Sequence, residues 1–208
     1  SNETFLDLLQ ELANLEGIER IRISSIEPEL LNDDIIMLVS VSEKLLPHFH
    51  IPLQSGSDKI LMLMKRKYLR EVFANRVKRI KELMPDACIA ADVIVGFPGE
   101  TVEDFEEACE FIRKVDVTYL HVFTYSERPG TKALQMEGKV DEREKRRRSQ
   151  VLHELSESIK KQFYNSQLGK VAEVLWESDN LKGFMHGFTG NYVKARTPYD
   201  PALINQIT

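Results

Sequence analysis

The most constraining feature of the sequence is the apolar run at residues 88–97, which reads C-I-A-A-D-V-I-V-G-F. Such a nearly continuous run is typical of a strand that is buried on both faces of a parallel sheet. A turn at residues 96–101 follows it and leads into a helix that Thr101 and Asp104 can cap. The segment therefore predicts a strand, a turn and a helix within a parallel α/β sheet.

Helix and strand patterns alternate along the chain on both sides of this segment. Apolar residues at helical spacing predict helices after Asp58, after Thr101, and at residues 4–15, 30–39 and 69–84. The predicted strands cover residues 20–25, 49–53, 88–97 and 119–125. This order predicts an α/β fold with four adjacent parallel strands joined by right-handed crossovers. Ligands of such sheets bind at the rim where the strands end.

The last part of the chain has a different character. Residues 141–168 predict one long charged helix, and Gly169 ends it. Residues 171–176 then predict a strand that belongs to a second unit. We therefore predict two domains, an α/β domain at residues 1–168 and the beginning of a small β domain at residues 169–208.

Composition excludes several classes of protein. The chain has 42% hydrophobic and 29% charged residues, an ordinary soluble globular composition. It has no run of about 18 apolar residues, so we predict no membrane partner. A net charge of −5 is not typical of a general nucleic-acid binder. The two cysteines, Cys88 and Cys109, indicate a reducing, cytoplasmic location and are too few for a cysteine-ligated metal within this chain.

Polar groups gather where the predicted strand at residues 49–53 ends. Gln54 and Ser55 follow it directly, and a helix begins a few residues later. The amide, the hydroxyl groups and the free backbone N–H groups of the helix start can bind one ligand together. The alternative is that Ser55 or Ser57 only caps the helix.

Five segments, taken in order, resemble the radical S-adenosylmethionine methylthiotransferases, enzymes that put a methylthio group on transfer RNA or on a ribosomal protein. The segments are R-I-S-S-I-E-P at 22–28, H-I-P-L-Q-S-G-S at 50–57, M-K-R-K-Y at 64–68, D-V-I-V-G-F-P-G-E-T at 92–101 and Y-S-E-R-P-G-T at 125–131. Each is short, but five in this order are specific. They cover most of residues 20–131.

The resemblance implies a partial TIM-like (β/α) barrel of the radical SAM type, of which this chain would hold the last strands. It implies S-adenosylmethionine (SAM) as a cofactor and, in the full-length protein, two 4Fe-4S clusters. The cluster-binding cysteines are expected before Ser1, so no cluster is expected in this fragment, which should be inactive alone. The family's chemistry also implies an electron donor as a partner.

The resemblance further implies a set of SAM-binding residues. Glu27 suits the cationic end of the cofactor, Arg66 suits its carboxylate, and residues 95–97 can reach the adenine with backbone and a ring. For each there is an alternative: Glu27 could lead a helix, Arg66 could be a surface charge, and Gly96 could be a turn residue. The full predicted set is Glu27, Gln54, Ser55, Arg66, Asp92, Val95, Gly96 and Phe97.

The tail after residue 171 resembles the start of a TRAM domain, a small β barrel that grips RNA in this family. The segment H-G-F-T-G-N-Y-V-K at 186–194 looks like the version in the branch that acts on N6-threonylcarbamoyladenosine beside the anticodon. The implied partner is a tRNA anticodon stem-loop. The predicted RNA-binding residues are Arg128, Phe188, Tyr192, Lys194 and Arg196. Residues 197–208 do not match the expected closing strands.

Three alternatives remain open from the sequence. Two lie within the family, because its other branches act on isopentenyl-adenosine in tRNA or on a ribosomal protein. The third is a non-radical barrel that binds a nucleotide or phosphate, with Gly96 and Gly99 as a phosphate cradle.

Overall fold

The computed structural model describes residues 3–208 and has twelve main elements. The helices are α1 Phe5–Asn14, α2 Asp33–Val41, α3 Asp58–Leu63, α4 Arg70–Leu83, α5 Val102–Lys114 and α6 Glu142–Gln167. The strands are β1 His48–Gln54, β2 Cys88–Val95, β3 Tyr119–Thr124, β4 Val174–Trp176, β5 Phe184–Thr189 and β6 Lys194–Pro198. Two short 3-10 turns lie at Lys132–Gln135 and Pro201–Leu203.

Strands β1, β2 and β3 form one parallel sheet in that order. The register pairs His50 with Ala90, and Asp92 with His121. Helices follow β1 and β2, as parallel crossover connections require. The predicted α/β class is confirmed, and three of the four predicted strands are parallel neighbours.

The predicted strand at residues 20–25 is wrong as a regular strand. It makes only two isolated parallel bridges, Ile21 with Leu45 and Ser25 with His50. The two bridges are four residues apart in this segment, from residue 21 to 25, but five apart in its partner, from residue 45 to 50. The register therefore shifts by one residue between them. Pro47 lies in the partner stretch between residues 45 and 50 and has no N–H to donate, which explains why no continuous ladder forms. The segment still lies alongside β1, with the Ile26 N–H donating to the His50 carbonyl at 3.0 Å.

The two faces of this sheet differ strongly. One face carries apolar side chains such as Phe49, Ile89 and Val93, which are buried in the main core with residues of the helices. The other face carries the alternating set His48, His50, Asp92, Tyr119 and His121. The expectation that β2 is apolar and buried on both faces is therefore only partly right, because Asp92 and Ile94 are half-buried on the second face.

Two predicted helix starts can be compared with the structure. Thr101 and Asp104 form a capping box at α5: the Asp104 N–H donates to Thr101 Oγ1 at 3.2 Å, and the Thr101 N–H donates to Asp104 Oδ2 at 2.9 Å. Ser57 occupies the N-cap position of α3 without a side-chain cap, and its hydroxyl donates to Asp104 Oδ1 at 3.2 Å instead. Ser57 therefore links α3 to α5.

Helix α6 connects the parallel sheet to a second, antiparallel sheet of order β4-β5-β6. It packs along β3, where Ser156 Oγ accepts from the Leu120 N–H at 2.9 Å. The small sheet has its own apolar cluster around Trp176 and Met185. The last residues complete it, since the Val174 N–H donates to the Thr208 carbonyl at 2.8 Å. None of the helices within residues 3–208 is long and apolar enough to cross a bilayer.

Candidate functional site

A cavity of about 470 Å³ opens where β2 and β3 end. We call it the rim cavity; its walls include Arg66, Ile94, Phe97, Tyr125, Ser126 and Arg128. Two buried polar atoms in these walls, Arg66 Nε and Tyr125 Oη, have no hydrogen-bond partner among the described residues. Because buried polar atoms are nearly always paired in folded proteins, these two atoms make the rim cavity a candidate site for a polar ligand.

Arg66 owes its position to the way α3 ends. Lys65 adopts a left-handed conformation with φ of 57°, and the Arg66 N–H then donates to the Leu61 carbonyl at 3.0 Å. The guanidinium turns toward Glu27, with Nη1 at 3.5 Å from Oε1. Both side chains of this pair are partly exposed, so the ion pair itself contributes little and a ligand can compete for either partner.

A buried ion pair between Glu100 and Arg148 stabilises the loop after β2. Glu100 Oε2 accepts from the Gly96 N–H at 2.6 Å and from Arg148 Nη1 at 2.7 Å. Gly96 has a φ of 76°, and any side chain there would collide with Lys145 of α6. Only glycine tolerates both this positive φ and the close approach of Lys145, so a glycine here allows the loop to pack directly against α6.

The predicted residues of this loop have different roles. The Val95 side chain is buried in the core, and its carbonyl accepts from the Tyr125 N–H at 2.9 Å. The Gly96 N–H is also engaged within the protein. Phe97 instead lines the rim cavity, edge-on to Tyr125 with 5.2 Å between ring centroids. The flat surface that this loop offers to a ligand is therefore the Phe97 ring.

Gln54 and Ser55 are buried and lie outside the walls of the rim cavity. Gln54 ends β1 with a φ of 67°, and Ser55 Oγ accepts from the Ser57 N–H at 3.1 Å. In this structure the Ser55 hydroxyl therefore stabilises the turn between β1 and α3. Of the predicted cofactor set, the structure brings Arg66, Phe97 and, through its ion pair, Glu27 together.

Asp92 lies deeper on the polar face of the sheet. Its Oδ1 is 2.7 Å from His50 Nε2, and His121 is adjacent, with 4.9 Å between the two imidazole centroids. Ligand-type atoms of these three residues lie within 4.8 Å of one another, a set that could hold a metal ion and that the sequence analysis did not predict. His50 and His121 were missed because they lie on different strands, far apart in the sequence, and neither segment has a metal-ligand spacing of its own.

The predicted RNA-binding residues fall into three places. Arg128 lines the rim cavity. Phe188, Tyr192 and Lys194 line a second cavity of about 490 Å³, which we call the lower cavity because it lies where β1, β2 and β3 begin. Arg196 lies apart from both, with its guanidinium 4.6 Å from the centroid of the Phe184 ring.

Residues 1–112 match the family described as the Radical SAM superfamily. The chain belongs to this family. The expected family relationship is thereby confirmed, and the third alternative from the sequence, a non-radical barrel, is excluded by this match.

Several curated proteins are similar to this radical SAM chain. It is 42% identical over 195 residues to the threonylcarbamoyladenosine tRNA methylthiotransferase MtaB of Bacillus subtilis, covering 91% of this chain and 43% of that protein. It is 44% identical over 207 residues to the tRNA-2-methylthio-N(6)-dimethylallyladenosine synthase of Acetivibrio thermocellus, covering 98% of this chain and 43% of that protein. The chain thus spans less than half the length of these relatives.

A solved structure supports the fold of the radical SAM chain independently. Coproporphyrinogen III oxidase (HemN) of Escherichia coli, a radical SAM enzyme, matches with a TM-score of 0.57 at 17% identity, covering 74% of this chain and 36% of that one. At this identity the match concerns the fold alone, and it agrees with a partial α/β barrel.

Proposed function

We propose that this chain is part of a tRNA-modifying methylthiotransferase that adds a methylthio group to N6-threonylcarbamoyladenosine beside the anticodon. The observation that carries the proposal is the 42% identity to a threonylcarbamoyladenosine tRNA methylthiotransferase over 91% of the chain. The segment at residues 186–194 supports the same branch. We place the RNA-binding, TRAM-like domain at residues 169–208 and the barrel part at 1–168, and we place the protein in the cytoplasm.

A second candidate is methylthiolation of dimethylallyl-type (isopentenyl) adenosine. It is favoured by the 44% identity to a dimethylallyladenosine synthase over 98% of the chain. Mass spectrometry of nucleosides from tRNA treated with the full-length protein distinguishes the two. A product on threonylcarbamoyladenosine supports the first proposal, whereas a product only on dimethylallyladenosine replaces it with the second.

The rim cavity fits S-adenosylmethionine by the chemistry of its walls. Arg66 has an unpaired buried Nε that can complete a two-pronged bond to the cofactor's carboxylate. Glu27 would meet the amino group, and the Phe97 ring would cover the adenine. Together with a 4Fe-4S cluster, this cofactor would supply radical chemistry to the full-length protein.

The cysteines of this chain do not fit an iron-sulfur cluster. Cluster ligands are thiolates, and burial raises the pKa of Cys88 to about 12 and also raises the pKa of Cys109. The two thiols belong to β2 and α5, and both are buried. We therefore propose that the cluster ligands of the full-length enzyme lie outside these 208 residues, and that an electron donor reduces the cluster there.

Anaerobic reconstitution of this chain with iron and sulfide is expected to leave it colourless. Two separated, buried thiols cannot hold a cluster. Iron and sulfide assays, with an absorbance spectrum around 400 nm, a typical region for such clusters, give the measurement. Stoichiometric iron and sulfide with absorbance in that region would contradict the expectation.

Replacing Arg66 with alanine is expected to weaken binding of S-adenosylhomocysteine, a stable analogue, by about tenfold or more. The change removes a charge-assisted bond, which is worth roughly 1.5–3 kcal/mol. Arg66→Lys is expected to rescue little, because an ammonium cannot make the planar two-pronged contact. Isothermal titration calorimetry measures both affinities.

The matched control is Lys67→Ala, which removes the same charge from the next, exposed position outside the rim cavity. Lys67→Ala is expected to leave the affinity unchanged. Equal affinities for wild type and Arg66→Ala would remove Arg66 from the cofactor site.

A further inference from the structure

Two histidines and one aspartate converge on the polar face of the parallel sheet. His50 lies on β1, Asp92 on β2 and His121 on β3, and the register pairs Asp92 directly with His121. Because β2 separates β1 from β3, the backbones of these two outer strands lie about 9–10 Å apart. The centroids of the two imidazole rings are nevertheless only 4.9 Å apart. Both rings therefore lean inward over the middle strand.

The middle strand leaves room for this convergence. Ala90 is the register partner of both His50 on β1 and Tyr119 on β3. It lies two residues before Asp92, so the two residues share the polar face of β2. A larger side chain at position 90 would compete with the imidazoles for the space above the strand. The small residue therefore keeps a gap that two imidazoles and one carboxylate border.

The polar atoms of this cluster are only partly paired. His50 Nε2 lies 2.7 Å from Asp92 Oδ1, but Asp92 Oδ2 and both ring nitrogens of His121 have no hydrogen-bond partner among residues 3–208. The Asp92 side chain is 19% exposed, and no lysine or arginine of the described chain pairs with it. His50 is a counter-charge only when it is protonated. Because buried charges in proteins are normally paired or coordinate a metal ion, the cluster suits a ligand that brings positive charge.

The three side chains are of the types that bind divalent transition metals. Zn²⁺ binds imidazole nitrogen and carboxylate oxygen at about 2.0–2.2 Å, which places neighbouring ligand atoms about 3–3.5 Å apart. Ligand-type atoms of His50, Asp92 and His121 already lie within 4.8 Å of one another. His121 is exposed and makes no hydrogen bond within the described residues, so its ring can turn the remaining distance. Two imidazoles and one carboxylate also leave coordination positions open on the ion.

The cluster can be reached from the lower cavity. His50 and His121 are part of the wall of this cavity, which gives an ion a path of entry and gives a further ligand access to the ion. The charged residues of the same wall are basic, namely Arg22, Lys160 and Lys194. A wall of this charge attracts anions, so it favours an anion as the further ligand.

We propose that His50, Asp92 and His121 bind one divalent transition-metal ion such as Zn²⁺, whose open coordination positions face the lower cavity. The ligands are nitrogen and oxygen atoms, so this site is distinct from an iron-sulfur cluster, which requires thiolates. All three ligands belong to this chain, so the site does not depend on the proposed reaction. It gives Asp92 a role other than the cofactor contact expected from the sequence.

The test is isothermal titration of Zn²⁺ into this chain after a chelator has removed bound metal. One ion per chain is expected to bind. His121→Gln and Asp92→Asn are each expected to weaken binding by about 100-fold or more, because even a changed outer-shell partner typically costs about 10–100-fold. His121 is exposed, and Asp92→Asn keeps an oxygen that can accept from His50, so both variants are expected to fold, which circular dichroism checks.

The matched control is His186→Gln. His186 Nδ1 also pairs with an aspartate, Asp179, but no third histidine, cysteine or carboxylate of the described chain completes a ligand set there. The control is expected to bind Zn²⁺ within about twofold of wild type, because changes at distant, independent sites do not couple. No stoichiometric binding by wild type, equal affinities in all variants, or an equal loss in His186→Gln would overturn the proposal.

Spectroscopy identifies the ligands and the open positions. The X-ray absorption spectrum of the zinc-loaded chain is expected to show nitrogen and oxygen neighbours at about 2.0–2.2 Å. A sulfur neighbour at about 2.3 Å would instead assign the ion to Cys88 or Cys109 and overturn the proposal. In the chain loaded with Co²⁺, azide is expected to shift the visible absorption bands, because an anion can enter an open position. Unchanged bands would show that the ion has no position open to the cavity and would overturn that part of the proposal.

Discussion

Arg148→Ala is expected to lower the free energy of unfolding by about 3–5 kcal/mol. The side chains of Arg148 and Glu100 are 3% and 2% exposed, and their ion pair spans 2.7 Å. Removing the guanidinium leaves the Glu100 carboxylate buried without its counter-charge, which is the costly way to break such a pair. Arg148 also positions the Glu100 carboxylate that accepts from the Gly96 N–H, so the change is expected to loosen the Gly96 turn as well.

Urea unfolding followed by circular dichroism measures this change. Arg147→Ala is the matched control: Arg147 bonds the same Glu144 as Arg148 does, but it is 52% exposed and does not reach Glu100. We expect Arg147→Ala to lower the free energy of unfolding by less than about 1 kcal/mol. The double variant Glu100→Gln with Arg148→Met is expected to recover part of the loss, since it leaves no charge unpaired. Equal losses in the two single variants would refute the role of the buried pair.

Acidification from pH 7 to pH 4 is expected to lower the free energy of unfolding by about 2–3 kcal/mol through the titration of His48 alone. Burial, reinforced by Arg22, lowers the pKa of His48 to about 4, whereas an unfolded histidine titrates near its ordinary value of about 6.5. Between these values the unfolded chain binds a proton that the folded chain excludes. The contribution of His48 is therefore complete above pH 6.5 and is lost as the pH falls toward 4.

Comparing the pH dependence of the unfolding free energy in wild type and His48→Gln isolates this effect. Glutamine keeps a hydrogen-bonding group near Tyr119 but does not titrate, so the variant's curve should be flatter between pH 6.5 and 4. His153→Gln, at an exposed position on α6, is the control and should follow wild type. Parallel curves for wild type and His48→Gln would show that His48 does not exclude its proton.

The main architecture could be predicted from the sequence because the spacing of apolar residues reflects which side chains are buried. The apolar run of β2 and the Thr101–Asp104 box of α5 are local signals, and both lie where they were predicted. The segment at 20–25 failed for a non-local reason. Its alternation suits a strand, but a ladder also requires matched spacing on the partner, and the stretch around Pro47 breaks that spacing.

For the candidate sites too, local features could be predicted from the sequence, whereas contacts between distant segments could not. The position of Arg66 and Phe97 at the rim could be predicted because each follows a helix or strand end within a recognisable segment, and the ends of parallel strands share one rim. The partner of Glu100 could not, because Arg148 is 48 residues away in a helix start so rich in charges that it resembles a solvated face. The lower cavity could not be predicted either, since it combines three strand starts, one helix and one hairpin.

The packing of α6 on β3 also affects how the protein behaves in concentrated solution. β3 is the last strand of its sheet, and a last strand exposes backbone groups to which a strand of another molecule can add. The Ser156 hydroxyl occupies the outward N–H of Leu120, and the 26-residue helix shields the strand beside it. Helix α6 therefore protects this edge against intermolecular strand addition and the aggregation that follows from it.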